Sequence, residues 1–490
     1  MKIQTILALS FGAVPILVIL LSNLFQGAGR RQARRILAAG AAGLQAINAA
    51  VSLWLLLNSG ESSFAFSLND ILTAAEDATR ESFALTPFGL VILFCAGIVC
   101  LCSVLIASRT VRQKTNSYTN LLMILMLSMT GLVTATDLFT LYAFMEVTGV
   151  ASFILIAMFR EDASLEGAFK YLVMSSVAGV LIVSGLALLF MQAGSLRFAD
   201  IRVGDLLYAS HSKRTLLFAS AALMLSGFCI KAGAAPFHSW LPDAHQSADT
   251  AVSVLLSGIV IKAAGVYGLM TIARLFAKME AVGLSLRIIG LLSVVAGALL
   301  ALRQSHFKRV AAYSSVSQMG YLLLGIGSGS ALGYVGAAAH VFSHAMFKST
   351  LFANAAALHE QAGTLELGEM GGLQKKMPVT GVTSVIAFFS TAGIPPFAGF
   401  WSKLLILLAL WLAGEKAFAC AGLGASLLTG AYFLRLQRKA FFGKLPERFE
   451  NIKEIDGGVR AAEILLTVFT VAGGLLFPLL LQYLAGLGLI

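Results

Sequence analysis

Long apolar runs follow one another from end to end of this chain, separated by short polar stretches. A run of about 20 apolar residues crosses the hydrocarbon core of a bilayer as a helix. The pattern predicts fourteen helices, at about 3–24, 36–57, 87–108, 117–136, 138–159, 168–192, 215–238, 250–273, 282–302, 310–328, 332–358, 379–413, 417–436 and 460–485. The expected fold is an all-α polytopic membrane protein with about 14 transmembrane helices. The N-terminus carries Lys2 and then apolar residues to about 21, without an evident small-residue cleavage site, so it reads as an uncleaved first helix.

Two stretches break the pattern. Residues 228–246 read FCIKAGAAPFHSWLPDAHQ, with a lysine, two histidines, an aspartate and two prolines between apolar runs. Residues 231–243, KAGAAPFHSWLPD, resemble residues 391–403, TAGIPPFAGFWSK. Proline lacks an amide donor and clashes with the preceding turn, so helix breaks are expected at Pro236 and at Pro395 and Pro396. Inside a bilayer the freed backbone groups need protein or water as partners. Interrupted helices at corresponding places in two halves point to a transport site. The plain alternative is two Gly/Pro kinks that match by chance. On the first reading residues 117–276 form one five-helix repeat and 277–437 a second, preceded by three helices in 1–116 and followed by a loop and the last helix in 438–490. Five is odd, so the second repeat is inverted relative to the first.

Composition sharpens this outline. The 490 residues are 58% hydrophobic and 12% charged, with a mean hydropathy of +0.86. The formal charge of +11 could suggest nucleic acid, but its distribution does not. Arg30, Arg31, Arg34 and Arg35 follow the first helix; Arg109, Arg112 and Lys114 the third; Arg303, Lys308 and Arg309 the ninth; Arg438, Lys439, Lys444, Arg448 and Lys453 the thirteenth. All follow odd-numbered helices and share one face. The positive-inside rule makes that face cytoplasmic, places both termini on the outer face, and puts the acidic stretch 61–81 outside. Basic segments around Lys213–Arg214 and Arg274–Lys278 run against this assignment. The five cysteines (Cys95, Cys100, Cys102, Cys229, Cys420) lie in apolar segments without a CxxC, which argues for packing and against an iron–sulfur or zinc site.

Ionisable residues inside the predicted helices carry the chemistry: Glu146, Lys170, Lys231, Lys262, Lys348 and Lys403. A lysine at mid-bilayer costs roughly 2.5–3.5 kcal/mol on insertion scales, so such groups face a bundle interior or a wet path. Lys170 lies near a helix start, where it can snorkel to the interface. For the others the bland reading is a structural ion pair or a polar packing contact. His340, His344 and Lys348 are spaced four apart and share one helix face. A zinc pair is disfavoured by the absence of a third ligand and of HExxH; core packing and a proton relay remain, and histidine titrates near neutral pH. There is no phosphate loop and no dinucleotide fingerprint. No cofactor or metal is expected, and no nucleic acid.

The segments KAGAAPFHSWLPDAHQSADTAVSVLLSGIVIKAAGVYGL, HVFSHAMFKSTLFANAAAL and TAGIPPFAGFWSKLLIL resemble the antiporter-like subunits of the complex I superfamily. These occur in NADH–quinone oxidoreductase, energy-converting hydrogenases and multisubunit Mrp sodium/proton antiporters. The resemblance spans about 117–436. It implies that Glu146 pairs with Lys231, that Lys262 connects onward, and that His340, His344 and Lys348 form a central relay. It implies that Lys403 faces the exit, and that His238 and His245 lie where water enters near the first break. A proton then leaves Lys231 when Glu146 moves away. Implied partners are other membrane subunits, the bilayer of the inner (cytoplasmic) membrane, and protons or sodium. The alternatives are a redox-driven complex, an Mrp-type exchanger, and a scaffold whose buried charges only hold helices together.

Overall fold

The computed structural model describes residues 3–24, 30–59, 61, 63–66, 83–208 and 210–486. In chain order the helices are α1 (Ile3–Leu24), α2 (Arg31–Ser59), α3 (Pro87–Thr110), α4 (Thr115–Thr134), α5 (Leu138–Ile156) and α6 (Asp162–Ala193). Then come α7, in two pieces (His211–Ala232 and Trp240–Ser247), α8 (Thr250–Leu275), α9 (Glu280–Arg303), α10 (Phe307–Gly327) and α11 (Ala331–Ala362). α12, again in two pieces (Pro378–Ala392 and Ala398–Leu412), α13 (Lys416–Ala440), α14 (Gly458–Leu475) and α15 (Phe477–Gly486) follow. Eleven of the described helices are long and apolar enough to cross a membrane. A count of fourteen further requires α10 and α11, which are long but carry polar residues, and the divided α12.

The outer surface is apolar. Leu24, Met191, Leu412 and Leu427 are all at least 70% exposed, on α1, α6, α12 and α13, which suits lipid and not water. α8 is the opposite case: it is enclosed along its whole length. It is also irregular, with π-helical turns at Leu256–Val260 and Lys262–Tyr267, which the apolar periodicity gave no means of expecting. Small residues let it in. A Cβ at Gly265 would lie 2.4 Å from the Ala232 backbone nitrogen, so α8 and α7 touch backbone to backbone there.

The ends of the helices sort onto two faces. On one, Arg109 pairs with Asp456, Thr110 donates to Asp249 at 2.9 Å, His306 bridges Glu366, and Gly372 N–H donates to Phe442. The basic groups that the sequence places on one side do meet there, and this is called the basic face below. On the other, Phe83 bridges Ala135 and Asp137 bridges Arg197, and Arg287 pairs with Glu415 at 2.9 Å. α7 therefore runs toward the basic face and α12 away from it, so the two broken helices are inverted relative to one another.

Several expectations need correction. Arg31, Arg34 and Arg35 are not in a loop: they begin α2. Lys308 and Arg309 belong to α10. Lys308 is buried, with its ammonium on the Ala248 carbonyl at 2.6 Å, closing the α7–α8 turn. Lys170 does not merely snorkel: it pairs with Glu166 at 2.7 Å and Asp243 at 2.8 Å. Cys420 is exposed while the other four cysteines are buried, and all five are free. The last predicted helix ends at Leu475, because Pro478 in the next turn cannot continue it. A short antiparallel hairpin, β1 (Phe64–Phe66) with β2 (Phe83–Leu85), precedes α3. The acidic stretch 61–81 falls mostly outside the described residues.

Candidate functional site

Both breaks are built alike. The first piece of α7 ends at Gly233 and that of α12 at Gly393, with φ of +67° and +84°. That left-handed conformation suits glycine, and it closes the last turn by returning amides to earlier carbonyls. Gly233 N–H donates to Ile230 and Ala234 N–H to Cys229; Gly393 N–H donates to Ser390 and Ile394 N–H to Phe389. Ala235–Pro236 and Pro395–Pro396 follow, both cis. In the first break Ala235 N–H is taken up by Ser293 at 2.9 Å, and the Trp240 indole N–H donates to the Ile230 carbonyl at 3.0 Å.

Lys231 lies in the last turn before the first break and is 3% exposed. Its ammonium donates to Glu146 Oε1 at 2.9 Å and to Ser175 Oγ at 2.7 Å. Gly149 and Gly179 leave room for this contact: a Cβ at Gly149 would lie 3.4 Å from Lys231 Nζ, and one at Gly179 3.0 Å from Glu146 Oε1.

Lys262 sits in the π-helical part of α8, fully buried, and donates back to the Ser257 carbonyl. The Ser257 hydroxyl meets that of Ser315 on α10 at 3.0 Å. Ser314, the preceding residue, accepts from Lys348, which also donates to the Ala311 carbonyl at 3.0 Å. Serines of α10 thus stand between Lys262 and Lys348.

On α11, Lys348, His344 and His340 share one face and all are fully buried. The two imidazoles are 6.2 Å apart, centre to centre. His340 Nδ1 lies 2.9 Å from Ser402 Oγ on the second piece of α12. Next to it, Lys403 donates to the Thr391 carbonyl at 2.7 Å across the break and lies over the Tyr321 ring at 4.4 Å. Neither ring nitrogen of His344 has a hydrogen-bond partner among the described residues.

The row is therefore Glu146, Lys231, Lys262, Lys348, His344, His340 and Lys403, running from one break to the other along α7, α8, α11 and α12. His245 joins its flank, stacked on Phe352 of α11 at 4.8 Å with both nitrogens unpartnered. His238 does not join the row. It is half-buried at the first break, edge-on to Tyr313 at 6.1 Å. The hydroxyls of Ser175, Ser257, Ser314, Ser315 and Ser402 are the functional-site residues that the sequence reading missed. The run YSSVSQ at 313–318, polar inside an apolar helix, was the available signal. Such a row has protonatable groups linked by hydroxyls, and it lacks a nucleophile–base pair. Among the described residues no group of three or more potential ligands could hold a metal ion.

Residues 135–429 match the family model described as NADH:quinone oxidoreductase/Mrp antiporter, TM. The chain is 32% identical to NADH-quinone oxidoreductase subunit N of Desulforudis audaxviator over 74% of this chain and 70% of that one. It is 33% identical to F(420)H(2) dehydrogenase subunit M of Methanosarcina mazei over 70% of each. Its fold superposes with a TM-score of 0.84 at 26% identity on a chain in the structure of the membrane-bound sulfane sulfur reductase, an archaeal respiratory membrane complex, covering 97% of this chain and 77% of that one.

Proposed function

The chain belongs to the NADH:quinone oxidoreductase/Mrp antiporter membrane family, and from that premise we propose that it is a proton-translocating subunit of a redox-driven membrane complex. The observation that carries the reading is the buried row itself: four lysines and two histidines between two helix breaks, with one carboxylate at its head. Both relatives described above bear the names of redox enzymes, which favours a redox partner over an Mrp-type exchanger. The basic face is cytoplasmic and both termini lie outside, in the inner membrane.

The chemistry follows from pairing. While Glu146 holds Lys231, the ammonium is compensated and keeps its proton. When the two part, an unpaired cation is left in apolar surroundings, and it gives up its proton to the next base. Lys262, the α10 serines with Lys348, and then the imidazoles and Ser402 offer successive stations to Lys403. Each charge moved across the membrane is worth about 2.3 kcal/mol per 100 mV, so the cycle has to be driven by a coupled reaction. Water reaches the row through the break beside His238, with His245 next in line.

The test is pumping by the assembled complex in sealed vesicles. Lys231→Ala and Glu146→Gln each reduce proton movement at least about tenfold while electron transfer persists. Unchanged pumping in both, with normal assembly, would leave the scaffold reading standing. A gradient that appears only with sodium and without a redox substrate would instead favour the exchanger.

A further inference from the structure

Two carboxylates near the basic face have no part in the row. Glu463 is on α14 and fully buried; Glu454 is half-buried in the loop before it. Both reach Thr380, in the first turn of α12. The Thr380 hydroxyl lies 2.8 Å from Glu454 Oε1 and 3.3 Å from Glu463 Oε2. Glu454 also accepts from the N–H groups of Val379 at 2.6 Å, Thr380 at 3.4 Å and Ile455 at 3.2 Å. Glu454 is thus the anion that caps this helix N-terminus.

Counting hydrogens assigns the other carboxyl. A hydroxyl has one hydrogen, and Thr380 gives it to the nearer Glu454. Glu463 is then without a donor, and its Oε1 has no partner at all. Among the described residues neither carboxylate pairs with a lysine or arginine. On α3, Arg109 is held by Asp456, and Glu360 at the end of α11 faces Arg112. The first piece of α12 has no charged residue. An ionised Glu463 would be a bare buried charge. A protonated Glu463 donates to the free lone pair of Thr380 Oγ, and every hydrogen in the triad is accounted for.

Polar groups continue inward. Asn354 on α11, fully buried, donates to the Thr380 carbonyl at 2.6 Å and to Thr383 Oγ at 3.0 Å, while its Oδ1 is unpartnered. Gln437 on α13 donates to Ser384 Oγ at 2.6 Å, and its Oε1 is likewise open. Asn354 is six residues, about 9 Å of helix rise, from Lys348. Gln437 is one turn from Phe433, over whose ring Lys348 lies at 5.6 Å.

We propose that Glu463, Thr380 and Glu454 form a proton-holding site at the basic face, from which Asn354 and Gln437 supply Lys348. The supply step rests on the relay reading above; the site itself does not.

The assembled complex is compared by difference infrared spectroscopy as wild type, Glu463→Gln and Thr380→Val. The expected result is a protonated-carboxyl C=O band at neutral pH that vanishes in Glu463→Gln and shifts in Thr380→Val, with pumping by Glu463→Gln down about fivefold, the size of one lost hydrogen bond. If Glu463→Gln does not assemble, the shift in Thr380→Val decides. Absence of the band, or its loss on adding sodium, overturns the proton site; a normal band with undiminished pumping by Glu463→Gln overturns the supply step. Should Lys231→Ala also pump normally, it is the relay that has failed, and the band alone then judges the site.

Discussion

The breaks in α7 and α12 use one backbone device, yet they treat their lysines differently. Lys231 has a carboxylate and a hydroxyl on its ammonium. Lys403 has only the Thr391 carbonyl and the face of Tyr321. The first cation is compensated by a full opposite charge. The second is held by weaker things: the negative end of the first half of α12 and an aromatic ring. The comparison teaches that a break supplies room and dipoles for a buried lysine, while a counter-charge is a separate addition. Only the paired lysine has a contact whose opening changes its proton affinity by a large step.

The largest expected effect comes from breaking that pair. Lys231→Ala leaves Glu146 without its cation and costs roughly 2 kcal/mol of stability, discounted because a third of Glu146 is exposed. Lys403→Met removes an uncompensated charge, so it stabilises the chain by about 1 kcal/mol while still stopping pumping. Thermal unfolding of the two purified variants measures the contrast; shifts of the same sign would remove the distinction between the breaks. Gly399→Ala tests how tightly the second break is shut. Its Cβ would lie 1.9 Å from the Ser390 carbonyl oxygen, and the expected loss is about 2–3 kcal/mol by the same assay.

Smaller effects refine the picture. Ser402→Ala takes away the partner of His340 Nδ1, and pumping falls about fivefold, as for one lost hydrogen bond, with little change in unfolding temperature. Trp240→Phe removes the indole N–H from the Ile230 carbonyl, at a cost of about 1 kcal/mol. It should leave Lys403 and the second break untouched, which a cross-linking rate or a local exchange measurement on α12 would register.

Much of this was readable in the residues because the background is apolar. Against it, Glu146, Lys231, Lys262 and Lys403 stand out singly, and the four-residue spacing of His340, His344 and Lys348 fixes a face. The breaks were readable from proline and glycine. What was hidden depends on three-dimensional partners. Ser175 and Ser402 look like ordinary small helix residues until the helix opposite is known. The π-helical turns of α8 have no compositional mark, since they arise from packing on all sides. Lys308 looked like a loop cation because it follows Arg303 closely, and it is buried because α10 begins sooner than its apolar pattern does. Glu463, in AAEILLTVF, was visible as a lone carboxylate in an apolar run and was passed over; its meaning emerges only with Thr380 beside it.

The wide turns of α8 bear on how the two halves can communicate. A π turn stores a residue more than an α turn needs. Drawing that residue out would rotate the helix on one side of it by about 100° against the other, with no hinge and no exposed gap. Lys262 lies at the seam, so a single click of register would aim it at a different neighbour. A helix walled in on all sides cannot swing, but it can index.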